Sequence, residues 1–374
     1  MNVQDSRTIS LLRFPMTLAV VIQHSMGTIN TSINWDNLSG YDFYSLFKVL
    51  CSGTIALVAV PTFFFISGYL FFNKIAKMDI GVYKSKITKR FGSLVVPYVL
   101  WNILCIPMMF AVMYGEVWSG TRAESTINDF INNSRWEYFL WSFTSGDAAF
   151  DNIFGWHQLK QAPILSTFWF VRDLIIMSLL SPLIWWYVKK TKVWGLAFLF
   201  AIYVFRIWPH ITLGSQALFF VFGAYWSING KSLTINSKVV KYSNYALTAI
   251  VLIALVCLLG NDTYWGAQLA PLFTLTGFFT LISLTSGIAV SRPAFKFPEL
   301  LTSSSFFVYA LHIEFALPMG FFICKTLFRG TANPALLTLQ YIITPCVIYA
   351  ICLATYICMK KICPKFLSLL NGSR

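Results

Sequence analysis

Two polar residues, Arg13 and His24, lie in the mostly apolar segment ISLLRFPMTLAVVIQHSMG at 9–27. An ionisable residue at the centre of a membrane-spanning helix costs about 2.5–3.5 kcal/mol on insertion scales, so it usually marks a functional site. Their separation of eleven residues is about three helical turns, which puts both side chains on one face roughly 16 Å apart along the axis. A cation near one membrane surface and an imidazole deeper in the bilayer suit a long substrate with an anionic head and a reactive tail. Acyl-coenzyme A has that shape.

Each of these two residues also has a purely structural interpretation. Arg13 could be an anchor whose long side chain reaches back to the membrane surface. His24 could form a hydrogen bond to a neighbouring helix and serve only in packing. The presence of both on one helix face favours the functional interpretation.

The composition is that of a polytopic membrane protein. The chain has 374 residues, of which 57% are hydrophobic, 17% aromatic and 11% charged, whereas soluble domains are about 25% charged. The net charge of +14 comes from basic residues in short links between apolar runs, which indicates membrane topology and no nucleic-acid site. The eight cysteines form no CxxC or Cys/His ligand pattern, so neither a disulfide framework nor a metal site is expected.

Apolar runs of about 20 residues, the length that the hydrocarbon core requires, predict an all-α fold with about ten transmembrane helices. The predicted spans are 9–27, 47–72, 91–114, 163–188, 193–209, 212–229, 242–260, 267–290, 300–322 and 335–359. The first run is broken by Arg13 and lacks a signal-peptide pattern, so we expect it to remain as a helix. Residues 1–374 are interpreted as a single membrane-embedded domain.

The loops between the spans predict the orientation. With the N-terminus inside, most lysines and arginines fall in cytoplasmic segments, so the positive-inside rule puts both termini in the cytoplasm of a multi-pass inner-membrane protein. The longest connection, about 116–162, then lies outside. It combines carboxylates with tryptophans: Glu116, Glu124, Asp129, Glu137, Asp147 and Asp151 with Trp118, Trp136, Trp141 and Trp156. Such a loop could hold a carbohydrate, although an interfacial helix anchored by its tryptophans is the simpler interpretation.

Further polar residues lie inside the predicted spans, namely Arg172, Asp173, Arg206, His312 and Glu314. Counting the helical rise places most of them with His24 in one layer just outside the bilayer midplane, where bilayer physics favours a shared polar cavity. Arg172 and Asp173 are adjacent and point about 100° apart on a helix, so they need not pair with each other. A structural role, in which each pairs with another helix, stays open beside a catalytic role. His312 and Glu314 also diverge, and His312 is favoured to face the cavity.

Several motifs together resemble the membrane acyltransferase 3 family. Arg13 and His24 reproduce its R-x10-H spacing, and further family marks follow in order. These are PTFFFISGYLFF at 61–72, KSKITKRFGSLVVPY at 84–98, FWFVRDL at 168–174 and SSFFVYALHIEF at 304–315. The resemblance implies about ten helices and acyl transfer from acyl-CoA, usually acetyl-CoA. It also implies a hydroxyl acceptor on a surface glycan or a lipid-linked glycan precursor.

The resemblance assigns roles residue by residue. The family's catalytic histidine matches His24, and its arginine that contacts acyl-CoA matches Arg13. The family usually has two arginines three apart before a proline, and here Ser93 stands where the second is expected. Lys86 and Lys89 could supply the missing charge beside Arg90. No permanently bound cofactor is implied.

The expected mechanism follows from these assignments. Arg13, Lys86, Lys89 and Arg90 bind the CoA phosphates, and the pantetheine arm passes Ser67 towards His24. His24 then takes the proton of the acceptor hydroxyl or carries the acyl group itself, and the sequence leaves both routes open.

Two alternatives remain open at this point. A transporter or flippase could use the same polar layer without covalent chemistry, although we find no internal repeat. Among enzymes, transfer of a succinyl group would need an extra cation near the thioester, which Arg172 or Arg206 could provide. The sequence does not indicate the acceptor sugar.

Overall fold

The computed structural model describes residues 1–27, 33–120, 122–134, 136–141, 143, 150–153, 156–159, 162–205, 207, 215–258 and 263–372. Nearly all of this part of the chain is helical. The exception is a two-stranded antiparallel ribbon in the predicted outer loop, formed by β1 (Phe150–Ile153) and β2 (Trp156–Leu159).

The N-terminal half contains long helices interrupted by short irregular turns. Its α-helices are α1 (Val3–His24), α2 (Gly40–Lys48), α3 (Ala59–Phe72), α4 (Ile80–Arg90), α5 (Val96–Trp118) and α6 (Ser125–Asn133). A π-helix (Val49–Thr54) and a 3₁₀-helix (Ile55–Val58) join α2 to α3, and a second π-helix (Phe91–Val95) joins α4 to α5. Another 3₁₀-helix, Trp136–Tyr138, follows α6.

The C-terminal half continues in the same way. Its α-helices are α7 (Trp169–Leu179), α8 (Ser181–Val204), α9 (Leu218–Ile228), α10 (Lys238–Leu258), α11 (Thr263–Ser291), α12 (Glu299–Ser303), α13 (Ser305–Leu311), α14 (Leu317–Leu327), α15 (Pro334–Ile362) and α16 (Pro364–Leu370). The 3₁₀-helices Ser166–Phe168 and Ser215–Ala217 precede α7 and α9, and the π-helix His312–Ala316 joins α13 to α14.

The prediction of a helical, multi-pass membrane protein is confirmed. Within the described residues, six helical stretches are long and apolar enough to cross a membrane, and a seventh is added if the pair α7–α8, bent by 68°, counts as one span. Each of the ten predicted segments overlaps a helix. However, α1 is outside the group of six because polar and charged residues are spread along it, and α9 has only 11 residues.

A close helix contact joins α3 to α9 through two glycines. A Cβ atom at Gly68 would collide with the backbone carbonyl of Phe220, and one at Gly223 would collide with that of Phe65. Small residues of this kind let helix backbones approach closely inside a membrane. Buried aromatic rings, among them Phe222 and Phe278, pack around the contact. Because α3 is fixed in this way, the residues on its opposite face are held towards α1.

We expect Gly223→Ala to destabilise the protein, because the added methyl group must push two packed helix backbones apart. Overpacking of this kind costs about 1–3 kcal/mol and sometimes more. Gly287→Ala in α11 is the matched control, since a Cβ there meets no atom within 4 Å. Alanine also has the higher helix propensity. Thermal unfolding in detergent should show a lower Tm for the first variant only. Equal melting of both would contradict the close contact.

The N-terminal end of α1 is fixed by a carboxylate that the sequence analysis did not single out. Asp5 is 2% exposed and accepts hydrogen bonds from the Tyr69 hydroxyl (2.8 Å), the Leu233 amide (2.9 Å) and the Ser232 hydroxyl (3.0 Å). A buried carboxylate requires such partners. These bonds tie α1 to α3 and to the turn after α9, and thereby fix the orientation of the helix that carries Arg13 and His24.

Candidate active site

One face of α1 runs along a cavity of about 630 Å³. Ser10, Arg13 and Thr17 line it, at intervals of three and four residues that correspond to successive turns of one helix face. His24 lies seven residues beyond Thr17, two turns farther along the same face. Arg13 and His24 thus share one face of α1, but of these two residues only Arg13 lines the cavity, contrary to the expectation that both would.

The two arginines of the cavity differ in how they are held. The Arg13 side chain is exposed, and its guanidinium has no hydrogen-bond or ion-pair partner among the described residues. Arg90 also lines the cavity, but it donates to the Ser67 carbonyl (3.2 Å) and lies over the Phe71 ring at 5.4 Å. The cavity thus has a cationic end where an anionic group could bind without displacing an existing partner of Arg13.

The other basic residues of this segment lie elsewhere. Lys86 donates from Nζ to the Phe71 carbonyl (2.7 Å) at the end of α3, where a cation also interacts favourably with the helix dipole. Lys89 is exposed and does not line the cavity. Ser93, at the position of the family's second arginine, does line it. Of the predicted phosphate-binding residues, only Arg13 and Arg90 therefore meet in the cavity.

Ser67 and Gly68 have separate roles. Ser67 lines the cavity, and its buried hydroxyl has no hydrogen-bond partner within the described part of the chain. Gly68 faces α9 instead, where it makes the backbone contact described above. Apolar side chains line the remaining length of the cavity, including Phe63, Ile66 and Phe170. The predicted passage for a flexible arm thus consists of one hydroxyl among mainly apolar walls.

His24, at the end of α1, and His312, at the start of the π-helix after α13, face each other. Their ring centroids are 5.3 Å apart. His24 is half-buried, whereas His312 is completely buried. Neither lines the cavity, but Tyr309 does, and its ring centroid lies 6.1 Å from that of His312. Single π-turns occur frequently at functional sites, and this one places His312 opposite His24.

His312 is held in one orientation by its own helix. Its Nδ1 lies 2.7 Å from the Tyr309 carbonyl and 3.2 Å from that of Val308. A carbonyl oxygen only accepts, so Nδ1 carries the proton and donates it. Nε2 is then an acceptor, and it has no partner among the described residues. The structure thus leaves one buried acceptor on the ring that faces His24.

Glu314 points away from this pair. Its carboxylate accepts hydrogen bonds from the Ser166 hydroxyl (2.9 Å) and, more weakly, from the Ser166 amide (3.4 Å). This contact fixes the segment before α7 against the π-helix. The divergence of His312 and Glu314 therefore agrees with the expectation from their spacing.

Arg172 and Asp173 form an ion pair, although their spacing did not require it. Arg172 Nη2 and Nε donate to Asp173 Oδ1 at 3.0 and 3.2 Å. Arg172 also donates to the Trp141 carbonyl (2.8 Å) and lies over the indole ring. Adjacent residues diverge at Cβ, but the long arginine side chain can fold back. In a buried site, an unpaired charge is costly, which favours the nearest carboxylate.

The predicted polar layer is thus divided into separate groups. His24 and His312 face each other, Glu314 contacts Ser166, and the Arg172–Asp173 pair ties α7 to the segment around Trp141. Neither Arg172 nor Asp173 lines the cavity. Arg206 lies outside the described residues.

In the long connection at about 116–162, Trp136 packs among aromatic rings and donates from Nε1 to the Ile131 carbonyl (3.0 Å). Its ring centroid is 5.2 Å from that of Phe143. This indole therefore serves in packing the loop. Trp118, in contrast, is 92% exposed at the end of α5. The structure therefore favours a structural role for Trp136, whereas the exposed Trp118 indole is accessible to a carbohydrate.

The sequence analysis missed one cavity residue, Asn371, which follows α16. Its side chain is 5% exposed and lines the cavity. The Asn-Gly pair at 371–372 is a common signal for a helix end, because glycine readily takes a positive φ. That signal locates the end of α16 but gives no indication that it lies beside Arg13 and Arg90.

Comparison with known proteins identifies the family. The family model named acyltransferase domain (Acyl_transf_3) matches residues 7–358. This chain belongs to the Acyl_transf_3 family. The match spans α1 to most of α15, and it includes Arg13, His24, Arg90 and His312. The resemblance found in the sequence is thereby confirmed, and the protein is an acyltransferase embedded in a membrane.

A curated relative is similar over its full length. The succinoglycan biosynthesis protein ExoH of Rhizobium meliloti (strain 1021) is 24% identical over 379 aligned residues, covering 100% of this chain and 94% of ExoH. No solved structure shows a significant match. Membership in an acyltransferase family argues against the alternative of a transporter without covalent chemistry.

Proposed function

We propose that this protein transfers an acetyl group from acetyl-CoA to a hydroxyl of a cell-surface polysaccharide or its lipid-linked precursor. The observation that carries the proposal is the cavity on α1, in which Arg13 and Arg90 lie at one end and Tyr309 lies beside the His24–His312 pair. Its volume of about 630 Å³ is within the range of ligand pockets.

In this proposal, the donor binds along the cavity. Arg13 and Arg90 contact the phosphates of CoA, for which a guanidinium is well suited. The pantetheine arm lies between the apolar walls and past the Ser67 hydroxyl, and the thioester reaches the region of Tyr309. The roughly 16 Å between Arg13 and His24 along α1 supports this placement, because it separates the anionic head from the reacting end.

His24 supplies the base. Its free ring nitrogen takes the proton of the acceptor hydroxyl while the oxygen attacks the thioester carbonyl. The carbon–sulfur bond then breaks, and the thiolate of CoA leaves and takes the proton from the imidazolium. Transfer through an acyl-imidazole on His24 uses the same geometry in two steps, with the imidazole as the first nucleophile. Such a base contributes about 10²–10⁴-fold to the rate.

His312 acts on His24 as a positioning residue. The hydrogen bond from its Nδ1 to the Tyr309 carbonyl leaves Nε2 as an acceptor on a ring whose centroid is 5.3 Å from that of His24. An N–H of His24, directly or through a water molecule, can donate to it. A hydrogen bond on one nitrogen of a histidine determines which nitrogen remains free, so this contact fixes the reactive nitrogen of His24.

The acceptor and the topology complete the proposal. ExoH is named for succinoglycan biosynthesis, which supports a glycan acceptor for this chain. We place both termini in the cytoplasm, with ten crossings of the inner membrane and the loop at about 116–162 outside. The concentration of basic residues on one side and the overlap of all ten predicted segments with helices support this placement. Donor phosphates then enter from the cytoplasm, and the acceptor hydroxyl comes from the other side.

The acyl group is acetyl rather than succinyl in this proposal. A succinyl group would bring a carboxylate into the site, and burial of an unpaired charge is costly. Arg172, the described candidate for binding it, is already used by Asp173 and the Trp141 carbonyl. The walls near Tyr309 include Phe170 and Phe306, which suit a small apolar group.

We expect purified protein to use acetyl-CoA at least about tenfold better than succinyl-CoA, as judged by kcat/KM for release of free CoA thiol with a polysaccharide acceptor. Each donor should also be tested without acceptor to measure hydrolysis. Faster release from succinyl-CoA would contradict acetyl as the transferred group, but it would still support acyl-CoA binding in the cavity. No thiol release from either donor, with any glycan tested, would contradict the proposed function.

A further inference from the structure

The helix α16 lies against the cavity and is held by buried contacts. Trp101 of α5, which is 1% exposed, donates from Nε1 to the Leu370 carbonyl at 3.0 Å. Leu367 and Leu370 are buried in the core. Because the anchoring bond is made to the last residue of the helix, the position of the next residue, Asn371, is well defined.

The residue after Asn371 brings the backbone to the cavity wall. Gly372 has a φ of 67°, and a Cβ atom there would lie 2.5 Å from the Ser93 carbonyl. Both the left-handed backbone and this close approach require glycine. Ser93 itself lines the cavity, as do Arg13, Arg90 and Asn371. The C-terminal segment is therefore part of the wall at the cationic end of the cavity.

The Asn371 side chain has an unsatisfied polar atom. It is 5% exposed, and its Oδ1 has no hydrogen-bond partner in the structure as described. Buried polar side-chain atoms are nearly always hydrogen-bonded, and leaving one unpaired costs about 1–3 kcal/mol. An acceptor oxygen in the wall of a ligand cavity is satisfied when the ligand brings an N–H or O–H group to it.

The family match does not account for this feature. It ends at residue 358, whereas Asn371 lies 13 residues farther along the chain. The family match therefore does not include α16 or Asn371.

We propose that Asn371 is a donor-binding residue whose Oδ1 accepts a hydrogen bond from an amide N–H of the pantetheine arm. This inference rests on the proposed function, because it assumes that the cavity holds acyl-CoA. The pantetheine arm carries two amide N–H groups. The phosphates of CoA offer only acceptors, so they cannot satisfy Oδ1 and are left to Arg13 and Arg90.

The test is equilibrium binding to the purified full chain, with CoA and 3′,5′-ADP as separate probes. Asn371→Ala should weaken CoA binding about three- to tenfold, the usual range for one hydrogen bond. Binding of 3′,5′-ADP should be unchanged, because that probe lacks the pantetheine arm. Ser368→Ala, an exposed polar position on the same helix, is the matched control and should bind both probes like the parent.

The two probes separate the possible failures. Equal loss of CoA and ADP binding by Asn371→Ala would mean that the substitution distorts the cationic end, and it would overturn the inference. Unchanged CoA binding would overturn it as well. If the parent protein binds neither probe, the proposed function itself fails, because the cavity then does not take the donor.

Discussion

His24→Ala is expected to lower the rate of acyl transfer by about 10²–10⁴-fold or to abolish it, with the protein still folded and able to bind CoA. The reason is that an alcohol becomes a good nucleophile only when a base accepts its proton. The measurement is release of CoA thiol from acetyl-CoA in the presence of acceptor, together with CoA binding and the Tm in detergent. Gln23→Ala, a half-buried polar neighbour on the same helix, is the control and should remain active.

The same assay tests the role of His312. If His312 only orients His24, His312→Ala should lower kcat and leave the KM for the donor unchanged. In addition, the double variant His24→Ala/His312→Ala should be no slower than His24→Ala alone, because the second residue acts through the first. An additive loss would show that His312 contributes independently. Parental activity in His24→Ala would exclude His24 as the base.

Arg13→Ala is expected to weaken CoA binding about ten- to hundredfold, since hydrogen bonds to charged groups contribute about 1.5–3 kcal/mol. Isothermal titration with CoA on purified protein measures this directly. Arg13→Lys should recover part of the loss, because lysine retains the charge but not the planar guanidinium. A purified Arg13→Ala protein that binds CoA as tightly as the parent would exclude this role.

Lys89→Ala provides the matched control for the loss of a positive charge. Lys89 is exposed, lies one residue from Arg90 and does not line the cavity. Its removal should change CoA affinity less than about threefold, the scale of a screened surface charge. A loss as large as that of Arg13→Ala would mean that the phosphates bind across the outer surface of α4 rather than in the cavity.

The sequence was sufficient for features that depend on local periodicity. Long apolar runs predicted the helices, and a spacing of eleven residues predicted that Arg13 and His24 share a face of α1. The same counting placed His312 near the level of His24, and the structure puts their ring centroids 5.3 Å apart. These predictions required only the helical rise and the cost of polar groups in a membrane.

Features that depend on tertiary partners were not predictable in this way. Lys86 and Lys89 were expected at the phosphates, but Lys86 instead bonds the end of α3. Asp5 is bonded by residues 64 and 227 positions away in the chain, and no local pattern indicates either contact. Likewise, the pairing of Arg172 with Asp173 depends on how one long side chain folds within a buried site.

The placement of Arg13 and His24 on a single continuous helix has a consequence for donor selection. In the proposed binding mode, α1 sets the distance between the site of the donor phosphates and the site of the acyl carbon, because Arg13 and His24 belong to the same helix. Side-chain substitutions along the cavity can change affinity, but they cannot change this length. A donor with a much shorter or longer arm would present its thioester at the wrong height, however tightly its head is bound.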